Sequence, residues 1–200
     1  MKKIFLLCLV AMFALSCGIN KQARQIKALE NCKYEITSAD SLIVAGTDVS
    51  KLINSRNIDI SRVPGLAIAF LRKDIPFAGR LNLQIKNPSS DLAAINQFEY
   101  KVLIKDQEIA TGFVDQRVSI APGGTTTVPM RVNANIYQFL SNGKTMKEIV
   151  DFIQGGNSAG TEKKGVVTLK IKPTIDFAGK LIKYPGYITI DKELSSKILF

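Results

Sequence analysis

Few residues in this chain are spaced for chemistry. Asp106 and Glu108 stand two apart in "DQE", the spacing of a carboxylate pair that acid–base hydrolysis would use inside a cleft that perturbs their pKa values. They fall where a hairpin tip is expected, and a hairpin tip is well solvated, so a wet turn is the plainer reading. Asp115 and Arg117 are also two apart and read as surface decoration that would pair across one strand face to a neighbour. Lys170, Lys172, Lys180 and Lys183 would gather into a basic patch if the last two strands pair; a solvated face is the alternative. The chain has no histidine. That removes Ser-His-Asp and Cys-His activation of a nucleophile and zinc sites built on imidazole; carboxylate-only and lysine-base chemistry survive. Gly123-Gly124 and Gly155-Gly156 read as turns, since neither follows a strand and opens a helix in the manner of a phosphate loop. No cysteine pair has metal-ligand spacing. The expectation is a protein without catalytic residues, metal or cofactor.

The cysteines point to placement instead. Lys2 and Lys3 precede an uncharged run from Ile4 to Leu15, and Ala14 and Ser16 are small residues just before Cys17. A twelve-residue helix spans roughly 18 Å, short of the ~30 Å hydrocarbon core. Charged start, short apolar run and small residues before a cut are the plan of a secretory signal. Cleavage between Ser16 and Cys17 makes the cysteine the first residue of the mature chain. The segment Ala14-Leu15-Ser16-Cys17 resembles a bacterial lipoprotein signal of the Bacteroidetes type. That resemblance implies lipidation of Cys17 on sulfur and on its freed amine, palmitate included. Two or more acyl chains anchor a protein stably, each buried CH₂ contributing about 0.8 kcal/mol. "GINKQAR", after the cysteine, lacks the acidic residues that resemble a surface-export signal; this favours the periplasmic face of the outer membrane.

Removal of residues 1–16 leaves 184 of 200 residues, enough for one domain with a good core. With 46% apolar and 22% charged residues the composition is that of a globular protein. Cys8 leaves with the signal and Cys17 is taken by lipid, so Cys32 is left without a disulfide partner and reads as a small buried apolar residue, a reactive thiol being the alternative. The whole chain carries +10; without Lys2 and Lys3 the mature chain has 25 basic against 17 acidic residues. Beside a bilayer such a surface is drawn to anionic phospholipid or an anionic envelope polymer; a solvated lysine-rich surface with no such partner is the equal alternative. Nucleic acid is not an expected partner there.

The elements that must position these residues follow from periodicity. Residues 18–30, within the 17–31 tether, are polar and able to turn helical. "CKYEITSADSLIVAGTD" reads as a broken or bulged strand. In "SRVPGLAIAFLRK", Ser61 would cap a helix whose face is Leu66, Ala67, Phe70 and Leu71, with a buried strand as the close alternative. From there the period is two. Leu81, Leu83 and Ile85 alternate with polar residues until Asn87-Pro88 ends the strand; Asn bonds its own backbone and Pro presets φ. Phe98, Tyr100, Val102 and Ile104 form the next strand, and Asp106-Gln107 tips a hairpin into "EIATGFVDQRVSI", where Gly112 suggests a bulge. Pro122-Gly123-Gly124 turns the chain. Val128, Met130, Val132 and Ala134 then face inward, with Pro129 outward on an edge. Thr145 and Glu148 make a capping box for an amphipathic helix striped by Met146, Ile149, Val150 and Ile153. Val167, Leu169 and Ile171, then Tyr187 to Ile190, supply the last strands. Seven or so short strands with one or two helical insertions predict a mainly β protein, an antiparallel immunoglobulin/fibronectin-III-like β-sandwich.

Residues 78–136 carry a further resemblance. Their order is an alternating strand, Asn87-Pro88, a short apolar loop, a Tyr-bearing strand, a polar tip, a Gly-containing strand, Pro-Gly-Gly and Thr/Val alternation. This resembles the LEA type 2 family, also called the WHy domain. Domain organisation is then a signal peptide over 1–16, a tether over 17–31 and a LEA type 2-like sandwich over 32–200, with a helical insertion at about 137–164. The resemblance implies the sandwich fold and, from the family's plant members, stress protection. It transfers no catalytic residue, and it makes Asn87 and Pro88 a motif of structural character. The function expected is a non-enzymatic, membrane-anchored envelope lipoprotein acting as a binding or structural module. The alternative is an assembly partner that offers an edge strand or the 145–154 helix to another envelope protein.

Overall fold

The computed structural model describes residues 24–49, 65–104, 106–145, 147, 164–177 and 179–195. The signal segment, Ser16, Cys17, Ser61, Glu148, the 146–153 stripe and Gly155-Gly156 lie outside them. Residues 24–31 are helical; the described residues also form the following strands and short helices. In order these are β1 (Lys33–Val44), β2 (Thr47–Asp48), α1 (Leu66–Leu71), β3 (Pro76–Lys86), β4 (Ala93–Ile95) and β5 (Gln97–Ile104). There follow β6 (Gln107–Val114), β7 (Val118–Ile120), β8 (Thr125–Asn135), α2 (Tyr137–Ser141), β9 (Lys164–Phe177), β10 (Lys180–Lys183) and β11 (Ile188–Ser195).

The strands form the expected antiparallel sandwich. One sheet runs β2-β1-β3-β8; the other runs β10-β9-β5-β6, with β11 also on β9. β3 and β8 are neighbours although β4 to β7 intervene in sequence, because the β5–β6 hairpin crosses to the opposite sheet and the chain returns. Alternation explains the layering. Leu83, Ile85, Phe98, Tyr100, Val102, Val128, Met130, Val132, Leu169 and Ile171 all lie in one buried cluster between the sheets. Each large apolar side chain so buried contributes about 1.5–3 kcal/mol. β1 is broken as its polar middle suggests. Its register slips between Ile36 and Ser38 and again between Asp40 and Ile43, and Ser41 takes a left-handed φ of 53°. Pro129 is exposed on β8, an edge strand.

Several local expectations change. Gly112 is not in a bulge: it pairs directly with Tyr100, and the register shift lies at Val102/Leu103. A Cβ on Gly112 would overlap the hydroxyl end of the Tyr100 side chain. The glycine is therefore a berth for that ring, whose hydroxyl donates to the Arg131 carbonyl on β8. In α1 the buried residues are Leu66 and Ala69, whereas Leu71 is 85% exposed. The helix has only six residues, so packing against Ile75, Tyr137 and Leu140 decides which side is covered. Thr145 is not the cap of its helical stretch. Asn142 Oδ1 accepts from the backbone N–H of Lys144 and of Thr145, both at 3.2 Å.

The 24–31 helix belongs to the packed body. Ala28 and Leu29 are buried in the main cluster, and Cys32, also buried, has its Sγ 3.2 Å from the Ala28 carbonyl. Among the described residues no helix is long and apolar enough to cross a membrane.

Candidate functional site

Asn87 ends β3 as a fully buried polar residue. Its Nδ2 donates to the carbonyls of Asp91 at 2.8 Å, Ile120 at 3.1 Å and Ala121 at 3.3 Å. Its Oδ1 accepts from the backbone N–H of Ser89 at 3.0 Å and from Ser89 Oγ at 2.7 Å. The backbone N–H of Asn87 meets the Gly124 carbonyl at 2.9 Å. One side chain thus ties the 87–91 turn to the loop after β7, and every polar atom it has is used internally. Pro88 follows where no ladder hydrogen bond is needed.

The lysines separate by strand parity. β9 pairs with both β10 and β11, and Lys170, Lys172 and Lys183 come to the outer face of the five-stranded sheet beside Lys101. Lys180, an odd three residues from Lys183, points the other way. The face is partly self-neutralised. Glu99 pairs with Lys183, and Glu108 with Lys101 at 2.8 Å. The Lys183 hydrogen bond, with the charges of Lys183, Lys172 and Lys101, holds the Glu99 carboxyl below its ordinary pKa. The ammonium groups of Lys172 and Lys101 lie 5.4 and 5.9 Å from the centre of the Tyr187 ring.

The carboxylates do not converge. Asp106 sits at the β5–β6 turn with a φ of 62°, and Glu108 is engaged by Lys101. Asp115 and Arg117 flank a bend between β6 and β7 rather than sharing a strand face. Among the described residues no group of three Cys, Asp or Glu could hold a metal ion. Burial pushes the Cys32 thiol up to about 11, which makes it a poor nucleophile at neutral pH.

Two features of the four-stranded sheet depend on register and are invisible to periodicity. Arg80 on β3 and Arg131 on β8 stand directly opposite one another, both exposed. Asp40 is the register partner of Arg80 on β1, but its carboxylate already accepts from Asn82 Nδ2 at 2.5 Å and Ser38 Oγ at 3.3 Å. Beyond the arginines, at the β2 end, is an open concavity of about 450 Å³ whose lining includes Ile43, Pro76, Phe77, Ala78, Asn133 and Asn135. The two outer faces offer charged side chains and shallow apolar surface.

The class defined by this fold is the antiparallel β-sandwich. No family model matches the chain, and no curated protein does. Among solved structures, the chain is similar to a protein from Archaeoglobus fulgidus at 16% identity, covering 60% of this chain and 85% of that one, with a TM-score of 0.32. It is similar to a protein of Arabidopsis thaliana at 15% identity over 61% of this chain and 70% of that one, with a TM-score of 0.36. A candidate late embryogenesis abundant (LEA) protein is similar at 16% identity over 96% of this chain and 88% of that one, with a TM-score of 0.35.

Proposed function

We propose that the chain is a non-enzymatic lipoprotein of a bacterial cell envelope. An acylated Cys17 holds it at the periplasmic face of the outer membrane, and a LEA type 2-like sandwich serves as a binding or stress-protective module. The observation that carries this reading is the way the chain joins its body. Ala28 and Leu29 are core residues, so only residues 18–23 separate Cys17 from the described helix. A chain spans at most about 3.6 Å per residue, so a lipid on Cys17 keeps the sandwich within ~25 Å of its bilayer. The LEA type 2 assignment is supported by the motif order of 78–136, whose residues form β3 to β8 with Asn87 at the first turn. Binding is by surface: the Lys101/Lys170/Lys172/Tyr187 face and the Arg80/Arg131 pair suit anionic lipid or polymer.

Metabolic labelling with an alkyne fatty acid tests the anchor. The full chain takes up label and fractionates with membranes, while Cys17→Ala takes up none. A full chain that stays unlabelled and soluble overturns the reading.

A further inference from the structure

The pole at which the chain enters the sandwich carries a projecting ribbon. β5 first meets β9 at Gln97↔Thr174, and β11 leaves β9 at Ile188↔Ile171. Beyond these pairs, β9 and β10 continue as a two-stranded ladder from Ile182↔Ile175 to Lys180↔Phe177, with Ile175 still packed against the main cluster. At the ribbon's end Gly179 has a φ of 78° and its N–H meets Asp176 Oδ1 at 2.9 Å. All four residues of β10 are exposed. Leu181 is 58% and Ile182 45% exposed. They face opposite sides of the ribbon, Leu181 paired with Asp176 and Ile182 with Ile175.

This ribbon is adjacent to the first helix. Gln25 and Ile26 share a small concavity with Arg117, Ile175 and Asp176, and the Tyr184 hydroxyl donates to the Glu30 carboxylate. The same pole is basic. Lys27, Lys33, Lys86, Arg117 and Lys180 lie on it and have no ion-pair partner among the described residues, and Lys33 and Lys86 stand directly opposite. Of the acids nearby, Asp91 is within 3.8 Å of Arg24, Glu30 receives Tyr184, Asp176 receives Gly179, and Asp115 is exposed.

We infer that the β9–β10 ribbon is a second, reversible contact with an anionic lipid leaflet, an inference that rests on the reading of Cys17 as acylated. Leu181 and Ile182 enter the boundary between headgroups and acyl chains, while Lys180, Lys27, Lys33, Lys86 and Arg117 meet anionic headgroups. Apolar groups on both sides of a narrow tip suit end-on entry into lipid, which surrounds what enters it; a flat protein surface would cover one side. The reach of residues 17–23 places this pole next to the bilayer. One anchor and one ribbon fix the orientation of the sandwich, not only its height.

The chain contains no tryptophan, so Leu181→Trp creates a single reporter. Val166→Trp is the control: Val166 is 51% exposed and pairs with Glu193 at the opposite end of β9. Each full chain is reconstituted into vesicles containing phosphatidylglycerol, with or without lipids brominated on their acyl chains. The 181 reporter is quenched roughly twofold or more, and the 166 reporter is not, as expected for a residue at that interfacial depth. Lys180→Glu with Arg117→Glu removes the quenching while the protein still floats with the vesicles. A floating protein whose 181 reporter is unquenched, or whose two reporters are quenched equally, overturns the ribbon contact and leaves the anchor standing. A protein that neither floats nor carries a fatty acid overturns both.

Discussion

Replacing Asn87 probes the tie between the 87–91 turn and the end of β7. Asn87→Ala deletes an amide that donates to three carbonyls and accepts twice from Ser89. An amide has two N–H groups, so two bonds are lost to the carbonyls in addition to those from Ser89. A typical internal hydrogen bond contributes about 1 kcal/mol net, and a buried acceptor left unmet costs about 1–3 kcal/mol. The Ile120 carbonyl is the buried acceptor; those of Asp91 and Ala121 lie nearer water and recover part of their loss. The expected cost is about 2–4 kcal/mol. For a protein of this size that lowers Tm by roughly 4–16 °C. Asn87→Asp separates hydrogen bonding from volume. A carboxylate aimed at three carbonyl oxygens cannot donate, so the folded state favours its protonated form and raises its pKa above the usual ~3.9. Its sign is that of a raised acid: stability is highest below the unfolded pKa and falls as pH rises through the folded one. Urea unfolding at several pH values reads both effects. If Asn87→Ala stays within about 0.5 kcal/mol of wild type, or Asn87→Asp is as stable at neutral as at acid pH, the assignment of Asn87 as a buried tie is wrong.

Other outcomes follow from single contacts. Gly112→Ala must move the buried Tyr100 ring and loses about 2–4 kcal/mol by overpacking and by breaking the bond to Arg131; Tyr100→Phe keeps the ring and loses only about 1 kcal/mol, and equal costs in urea melts would refute the berth. Cys32, buried with its thiol pushed up to about 11 from 9.0, resists iodoacetamide at neutral pH until the protein unfolds. Because its folded pKa is raised, its contribution to stability is intact below pH 9 and lost towards pH 11; fast native alkylation at neutral pH contradicts the buried placement. Arg131→Gln relieves the repulsion with Arg80 and gains roughly 0.2–1 kcal/mol at low salt, a gain that shrinks at high salt; a loss at low salt means that the arginines are balanced by another group.

Alternation makes the sheets legible in the sequence. Leu83, Ile85, Phe98, Val128 and Leu169 each follow from a period-two rule in which neighbouring residues decide orientation. The sequence signal weakened where the deciding contact is distant. Gly112 resembles a bulge until Tyr100, twelve residues away, is laid across it. The covered side of α1 is set by Ile75, Tyr137 and Leu140, none of which its own spacing can see. Ala28 and Leu29 sit in a polar stretch too short to reveal an amphipathic face, so the sequence gives no sign of their burial. The Arg80/Arg131 pair requires the register of β3 against β8; each arginine alone looks like an ordinary outward residue. Asn87 could be read as a turn former, but its bonds to Ile120 and Ala121 span more than thirty residues.

Pro129 has a consequence for crowding. On β8 it lacks an N–H, and two residues further the Arg131 carbonyl is already occupied by Tyr100. A foreign strand seeking to add itself there would find a missing donor and a spent acceptor in succession. Copies concentrated side by side can therefore jostle without this margin seeding a fibril.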